Sequence, residues 1–296
     1  MDHLKRCIQA LQANELASKT VVYIVSDAAK DESAAQKVKE IRSYIRSIQG
    51  FLDIVKIFPE HNLGSKTASF TAIKMAIEKH DKMIRMEDDV LVSPDFLSYM
   101  NDALEYYKND MKVFSISSYS PSQFSRFGDP ETVYFSQRFN PWGYGTWLDR
   151  WRMIDFTLQD FEDFCSNRQN RAKLNEIGSD VYALLKTYPG EEYPRDLAVC
   201  YNLIKNNMFT VYPFTSRSVN TGFDGSGEHS GRNMKIDSEI LNKNANHYEF
   251  TPCKGATLEM LEPVRNYHTH GNEKLKLILH SIGVLNTLRK LRKRFE

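Results

Sequence analysis

The sequence predicts an α/β fold in which a mixed sheet is flanked by helices. The hydrophobic pattern alternates between helical and strand periods along the first half of the chain. Several apolar runs end in polar or acidic residues, as strands do where they reach a ligand-binding edge. Hydrophobic residues make up 41% and charged residues 26% of the 296 positions, which are globular values. This length predicts one large domain or two small ones, and a single catalytic domain with an appendage fits.

The elements follow one another as crossover units. Apolar stripes at helical spacing predict helices within residues 4–11, 38–48, 73–77, 94–108, 172–186 and 196–206. Apolar and β-branched runs predict strands at residues 21–25, 53–58, 83–86, 112–118 and 208–212. Residues 119–134 are polar and aromatic, which favours ordered loops over a site. Asp27, residues 62–64 and residues 87–89 all fall where strands end, so we expect a site at that edge.

Three consecutive carboxylates, Glu87, Asp88 and Asp89, follow the strand at residues 83–86. Successive residues of an extended chain point to opposite sides, and the mutual repulsion of the carboxylates is costly unless a cation or sugar hydroxyls intervene. Carboxylate oxygens are preferred ligands of Mg²⁺ and Mn²⁺. A solvated acidic turn before the helix that Ser93 and Pro94 open explains the triplet equally well when it is taken alone.

Two further segments are rich in aromatic residues or in glycine. Residues 140–147 place Trp142, Tyr144 and Trp147 among glycines, and aromatic faces of this kind stack on sugar rings or pack under a loop. Residues 220–231 are rich in glycine and serine, which is typical of a lid over a diphosphate or of a plain flexible loop.

Asp196 lies at a predicted helix start, where a carboxylate either interacts favourably with the helix N-terminus or acts as a general base. As a base it would deprotonate an acceptor hydroxyl. Asp180, Glu191 and Glu192 compete for that role.

Together these segments resemble a glycosyltransferase of the GT-A fold. The order of the segments carries the resemblance: the acidic triplet leads into residues 90–96, and then come the aromatic and glycine segment, the acid at a helix start, and residues 222–229. The chain is similar to bacterial family-2-like sugar transferases and, more distantly, to N-acetylglucosaminyltransferase I. The resemblance covers roughly residues 2–231. We therefore expect a catalytic domain over residues 1–231 and a C-terminal extension over residues 232–296.

The resemblance implies roles for the acidic triplet. Asp89 would coordinate Mn²⁺ or Mg²⁺ at the diphosphate of a nucleotide-sugar donor. The expected donor is a UDP-sugar. Asp88 would lie near the ribose and Glu87 near the donor sugar. Asp27 would contact the nucleobase.

The resemblance also implies roles for the loops. Asn62 and Gly64 would flank the nucleotide, while Trp142, Gly143 and Trp147 would line the donor-sugar and acceptor region. Ser226 and His229 would close over the diphosphate. Asp196 would be the base of an inverting transfer to a glycan or lipid-linked acceptor in surface polysaccharide synthesis.

The chain departs from this family at its start. In the family a hydrophobic strand ending in an Asn-Arg-Pro-like turn precedes the position at which Met1 aligns. We therefore expect this chain to lack a central strand of the sheet by N-terminal truncation. Backbone groups of both neighbouring strands would then be unpaired.

Charge and cysteine content limit the binding partners and the cellular compartment that we expect. A formal net charge of +1 argues against a nucleic-acid partner, and four dispersed cysteines without C-x-x-C spacing indicate free thiols in a cytoplasmic setting. No membrane span or signal peptide is predicted. Residues 273–295 form a basic amphipathic pattern that fits either peripheral contact at the inner face of the cell membrane or packing on the domain.

Two other functions compete with the transferase. A sugar-1-phosphate nucleotidyltransferase shares the sheet architecture but is expected to open with a glycine-rich phosphate loop, which the sequence lacks. A degenerate transferase that binds glycan or nucleotide without turnover is the non-enzymatic alternative.

Overall fold

The structure is a computed structural model that describes residues 1–189, 193–224, 247–269 and 271–292. Its strands are β1 (Val21–Val25), β2 (Asp53–Ile57), β3 (Lys82–Arg85), β4 (Val90–Val92), β5 (Val113–Ser117), β6 (Val133–Ser136), β7 (Tyr144–Trp147), β8 (Phe209–Pro213) and β9 (Ser218–Asn220). The first helices are α1 (Asp2–Gln12), α2 (Glu32–Ser47), α3 (Gly64–His80), α4 (Phe96–Tyr106), α5 (Leu148–Trp151) and α6 (Phe161–Ser166). The later helices are α7 (Arg168–Glu176), α8 (Asp180–Lys186), α9 (Arg195–Lys205), α10 (Leu258–Tyr267), α11 (Glu273–Ser281) and α12 (Leu285–Arg292).

A mixed five-stranded sheet forms the centre, with strand order β3-β7-β5-β8-β6. The β5 and β8 strands are parallel, and the other neighbouring pairs in this sheet are antiparallel. Both faces are buried: Met83 packs with α3 and α9 on one face, and Ile84 packs with α4 on the other. The predicted mixed α/β fold class is confirmed. Strands that are covered on both faces consist mainly of apolar residues, which explains the short apolar runs in the sequence.

The β1 and β2 strands form a separate parallel pair. Within the described ranges, β1 pairs only with β2, and β3 pairs only with β7. The α3 helix packs against both β1 and β3, and the Tyr23 hydroxyl at β1 lies 3.0 Å from Nε2 of His80 at the end of that helix. In the described ranges the β1–β2 pair is therefore joined to the five-stranded sheet by packing through α3 and not by strand hydrogen bonds.

Two predicted helices are each divided at a glycine. Residues 172–186 belong to α7 and α8, which are separated at Gly178, where φ is +133°. The pattern over residues 273–295 contains α11 and α12, separated at Gly283, where φ is +74°. Since a positive φ ends an α-helix, the uninterrupted helices expected from periodicity are wrong at these two positions.

The C-terminal part packs on the sheet domain. Met260 and Val264 of α10 share a buried cluster with Phe124 and Tyr134, and α11 packs against α8. The predicted domain boundary at residues 231–232 lies outside the described residues. In the described ranges, no helix combines the length and apolar character that crossing a membrane requires.

Candidate functional site

The acidic triplet forms the turn between β3 and β4, and its three carboxylates enter three different environments. Glu87 pairs with Arg85, with Oε1 2.8 Å from Nη1. Asp88 is exposed to solvent, whereas Asp89 is half-buried. The turn therefore places the three carboxylates in different surroundings.

Asp89 is fixed by β9 and the turn that follows it. Its carbonyl oxygen accepts hydrogen bonds from the backbone N–H and the Oγ1 hydroxyl of Thr221, both at 2.8 Å. Its carboxylate lies over Gly222, where an added Cβ would come within 2.2 Å of Oδ2. Only a glycine leaves room for the carboxylate in this position.

The Asp89 carboxylate has the properties of a cation ligand. Its Oδ1 is buried and has no hydrogen-bond partner in the described structure. Burial first, and then repulsion from Glu87 and Asp88, raises the pKa of the Asp89 carboxyl above its usual value. A buried carboxylate oxygen without a partner is costly, and a divalent cation would offset that cost.

Asp89 is the group of this chain that would hold Mn²⁺ or Mg²⁺. Across the described ranges, no set of three or more His, Cys, Asp or Glu side chains gathers in a way that could bind a metal ion. Mg²⁺ commonly binds through one or two carboxylates together with waters and substrate phosphates. A single half-buried carboxylate such as Asp89 fits that mode, and metal binding by Asp89 stays a prediction.

His3 adjoins this site, although sequence reasoning did not select it. Its Nδ1 lies 3.0 Å from Oγ1 of Thr221, and the imidazole is close enough to Asp89 to favour the ionised carboxylate. Packing of α1 against β4 brings it there, and the Cys7 thiol on the same helix donates to the carbonyl oxygen of Glu87 at 3.6 Å. No local signal in the sequence indicates this contact, because it joins residues more than 80 positions apart.

The predicted nucleotide-binding residues are brought together at the ends of β1 and β2. Asp27 Oδ1 accepts hydrogen bonds from the backbone N–H groups of Ala28 at 2.8 Å and Leu63 at 2.9 Å. The Asn62 side chain donates to the carbonyl oxygen of Ala28 at 2.6 Å. Gly64 opens α3 with a φ of +75°. Contact of these residues with a nucleotide stays a prediction, and the bonds show that Asp27 also fixes the loop.

Trp142 and Gly143 lie next to the Asp89 site. The Trp142 ring packs edge-on against Phe223, with centroids 5.4 Å apart, and Phe223 directly follows Gly222. At Gly143 φ is +87°, and an added Cβ would come within 2.3 Å of the Ser118 hydroxyl. The backbone here therefore requires glycine and holds the partly exposed indole beside the acidic turn.

Trp147 is placed differently from Trp142. Residues 144–147 form β7 rather than a loop, and in the antiparallel register Tyr144 pairs with Arg85 whereas Trp147 pairs with Lys82. Trp147 is therefore about 10 Å further along the strand from the acidic turn. It is only 6% exposed, and the Arg150 guanidinium stacks on its ring at 4.4 Å. In this structure the side chain packs in the core, and its predicted place in the donor-sugar lining stays a prediction.

Asp196 lies in the first turn of α9 and is partly exposed. Its competitor Asp180 is buried and bonded through both oxygens to Arg138, at 2.7 and 2.9 Å. A carboxylate engaged in this way is unsuited to accept a proton from an acceptor. Glu191, Glu192, Ser226 and His229 lie outside the described residues.

The fold and the carboxylate site agree with the predicted class of protein, the glycosyltransferases. The chain belongs to the GNT-I family, whose model matches residues 1–163, slightly more than half of the chain. This match confirms the predicted likeness to N-acetylglucosaminyltransferase I and favours a transferase over a nucleotidyltransferase.

Among solved structures, the chain matches a mannosyltransferase from Pyrobaculum calidifontis, solved in complex with GDP-Man and Mn²⁺. The match has 11% identity and a TM-score of 0.37, and it covers 69% of this chain and 66% of the other. The chain thus spans slightly less than two thirds of that structure, and the bound GDP-Man and Mn²⁺ are properties of that protein. No curated protein matches the chain.

Proposed function

We propose that this protein transfers a sugar from a nucleotide-sugar donor to a glycan or lipid-linked acceptor, with a divalent cation held at Asp89. The observation that carries the proposal is the buried, unpartnered carboxylate oxygen of Asp89 in the turn between β3 and β4, in a chain of the GNT-I family. A UDP-sugar is the expected donor, and surface polysaccharide is the expected product.

The reaction proposed is a single displacement that inverts the anomeric centre. The acceptor hydroxyl oxygen forms the bond to the anomeric carbon while the bond from that carbon to the diphosphate oxygen breaks. The hydroxyl proton passes to the Asp196 carboxylate, and the electron pair of the broken bond leaves with the nucleoside diphosphate. When bound, the cation offsets the negative charge that develops on this leaving group.

The chain's own residues position the reactants. Arg85 holds Glu87 at 2.8 Å and also donates to the carbonyl oxygen of Pro141 at 3.0 Å. One guanidinium thus joins the acidic turn to the start of the aromatic segment. Trp142 contributes a partly exposed ring beside the acidic turn, where it would stack on the donor sugar and exclude water.

A panel of nucleotide sugars tests the proposal by thermal shift, with and without Mn²⁺. A ligand at 100 times its Kd stabilises by about 2.7 kcal/mol. We expect at least one donor to raise Tm only when Mn²⁺ is present, and Asp89→Ala to abolish the shift. Metal-dependent hydrolysis of the same donor should fall at least about 100-fold in that variant.

Glu105→Ala is the matched control, because Glu105 is an exposed carboxylate on α4 with a side chain 60% exposed. It should retain both the shift and hydrolysis. A donor that binds without any turnover would indicate a binding protein instead. Mn²⁺ dependence that survives Asp89→Ala would refute the assignment of the metal ligand.

We also propose that the protein is cytoplasmic and contacts the inner face of the membrane through α11 and α12. Leu275, Ile278 and Ile282 are 56%, 58% and 63% exposed, which favours an apolar face open to a bilayer over one packed on the domain. Leu285 instead is buried, and Arg289 donates to the carbonyl oxygen of Thr187 at 2.6 Å, so α12 is partly held on the domain.

Flotation with vesicles that contain phosphatidylglycerol tests this contact. The intact chain should float, whereas a variant that ends at Gly271 or carries Ile278→Ser and Ile282→Ser should not. Leu52→Ser is the control, because it removes a side chain that is 65% exposed elsewhere on the surface. Equal flotation of all variants would remove these helices as the contact.

A further inference from the structure

Arg42 joins the two loops that carry the predicted nucleotide-binding residues, although sequence reasoning did not select it. It lies on α2, and its Nη2 atom donates to the carbonyl oxygens of Ser26 at 3.0 Å and Pro59 at 2.8 Å. Ser26 directly follows β1, and Pro59 comes two residues after β2. One nitrogen with two N–H groups thus holds both loops where they leave the strands.

Pro59 explains why β1 and β2 need a side-chain donor at this point. In their parallel register Val25 is opposite Ile57, and the Ser26 N–H donates to the carbonyl oxygen of Ile57 at 3.0 Å. The next bond of the ladder would run from the backbone nitrogen of residue 59 to the carbonyl oxygen of Ser26. Because proline has no N–H, the ladder ends there and the Ser26 carbonyl needs another donor. Arg42 supplies that donor.

Packing holds the Arg42 guanidinium in this position. Its central carbon lies 5.1 Å from the centroid of the Phe58 ring, and the side chain is only partly exposed. Its Nε atom is buried and has no hydrogen-bond partner in the described structure. A buried donor without a partner is costly. The side chain therefore satisfies the two loop carbonyls while one of its own donors stays unsatisfied.

The bonds of Asp27 and Asn62 cross between the same two loops. The Asp27 Oδ1 atom accepts a hydrogen bond from the Leu63 N–H at 2.9 Å. The Asn62 side chain donates to the carbonyl oxygen of Ala28 at 2.6 Å. Arg42 is the member of this set that comes from a helix, so it fixes both loops relative to α2. The separation of the loops, and with it the place of the Asp27 carboxylate, therefore depends on Arg42.

Arg42 and Asp89 act on different parts of the candidate site. Arg42 bonds the loops that follow β1 and β2, whereas Asp89 lies in the turn between β3 and β4 and is bonded to Thr221. In the described ranges, the sheet formed by β1 and β2 includes neither β3 nor β4. Loss of the Arg42 bonds should therefore move the predicted nucleobase contacts and leave the predicted diphosphate contact in place.

We propose that Arg42 is a positioning residue for the nucleobase of the donor. It holds the loops of Asp27 and Asn62 at the separation that one type of base fits, and so contributes to the preference for one nucleotide over another. Arg42 acts through the backbone of Ser26 and Pro59 and not on a reacting atom. This inference rests on the proposed transferase function, in which Asp27 contacts the nucleobase. A role in stability alone would not alter the preference between nucleotides.

Isothermal titration of the intact chain in the presence of Mn²⁺ tests the proposal. UDP and GDP are the nucleotide probes, and pyrophosphate is the probe without a base. The wild type should prefer one of the two nucleotides. Arg42→Met keeps the apolar stem but removes the donors, so the affinity for the preferred nucleotide should fall about tenfold. The preference should shrink with it, while the affinity for pyrophosphate stays unchanged.

A second variant restores the missing bond in another way. Pro59→Ala supplies the backbone N–H that the ladder lacks, so in combination with Arg42→Met it gives the Ser26 carbonyl a donor again. The double variant should recover part of the nucleotide affinity that Arg42→Met loses. A double variant that folds but recovers none of it would overturn the inference.

Arg46→Met is the matched control. The Arg46 guanidinium lies on the same helix, 5.0 Å from the same Phe58 ring, and in the described ranges it bonds neither loop, so this variant should bind the nucleotides as the wild type does. Unchanged nucleotide affinity in Arg42→Met, or equal losses for nucleotide and pyrophosphate, would overturn the inference and leave donor binding intact. A wild type without preference between UDP and GDP would do the same. A wild type that binds neither nucleotide overturns the transferase proposal and this inference with it.

Discussion

Gly222→Ala is expected to weaken metal binding through Asp89. The added Cβ would lie 2.2 Å from Oδ2 and 3.1 Å from Cγ of Asp89, whereas ordinary contact begins at 3.4 Å. The carboxylate oxygen must therefore move by about 1.2 Å, the difference between 3.4 and 2.2 Å. Metal–ligand distances tolerate about 0.2 Å. We expect the affinity for Mn²⁺ in the presence of nucleotide to fall about 10- to 100-fold, which corresponds to roughly 1.4–2.7 kcal/mol.

Isothermal titration of Mn²⁺ into the nucleotide complex measures this effect. A double-mutant cycle with Asp89→Ala identifies its route, because an effect that acts only through the carboxylate disappears when the carboxylate is absent. Gly128→Ala is the matched control: its Cβ would come within 2.4 Å of the Phe214 ring, so it should lower stability and leave Mn²⁺ affinity unchanged. Wild-type affinity in Gly222→Ala, or an additive loss in the double variant, would refute the reasoning.

Three other predictions follow from burial. Asp89→Asn should raise the Tm of the metal-free protein, because burial raises the pKa of the carboxyl and its charged form destabilises the fold at neutral pH; a lower Tm would contradict this. Asn14→Ala should lower the free energy of unfolding in urea by about 2 kcal/mol, since the Asn14 amide accepts from the Leu97 N–H at 2.8 Å; an unchanged midpoint would contradict this. Burial raises the pKa values of Cys200 and Cys253 to about 11, so about one thiol in a thousand is ionised at pH 8. Both should resist Ellman's reagent until denaturant is added, and rapid reaction in the native state would contradict this.

Local patterns sufficed for much of the fold. The β1 strand has the predicted bounds, and α4, β5, α9 and β8 lie within two residues of theirs, whereas α2 and α3 begin six and nine residues before the predicted segments. These elements are short-range: one apolar stripe or run, bounded by turn residues, defines each of them. The β7 strand was missed because its four residues are too few to show an alternating pattern and one of them, Gly145, is of a type depleted in strands.

Local sequence patterns predicted only part of the candidate site. The acidic triplet stands out as a run of like charges. The loops at the ends of β1 and β2 stand out as polar residues that follow apolar runs. His3 and Gly222 join the same site through contacts that span most of the chain. The Tyr119 and Tyr267 hydroxyl oxygens likewise lie 3.4 Å apart although the residues are 148 positions apart. Such contacts depend on packing rather than on spacing.

The sequence by itself determined the α/β class, most elements of the first half of the chain and the place of the carboxylates, because each is set by short-range periodicity or charge. Tertiary structure alone decided which of the three carboxylates has a buried oxygen without a partner, and that Trp147 is buried in the core whereas Trp142 is partly buried. It also decided that Asp180 is an ion-pair partner rather than a free acid. Burial and pairing are properties of neighbours in space, and a linear pattern does not specify those neighbours.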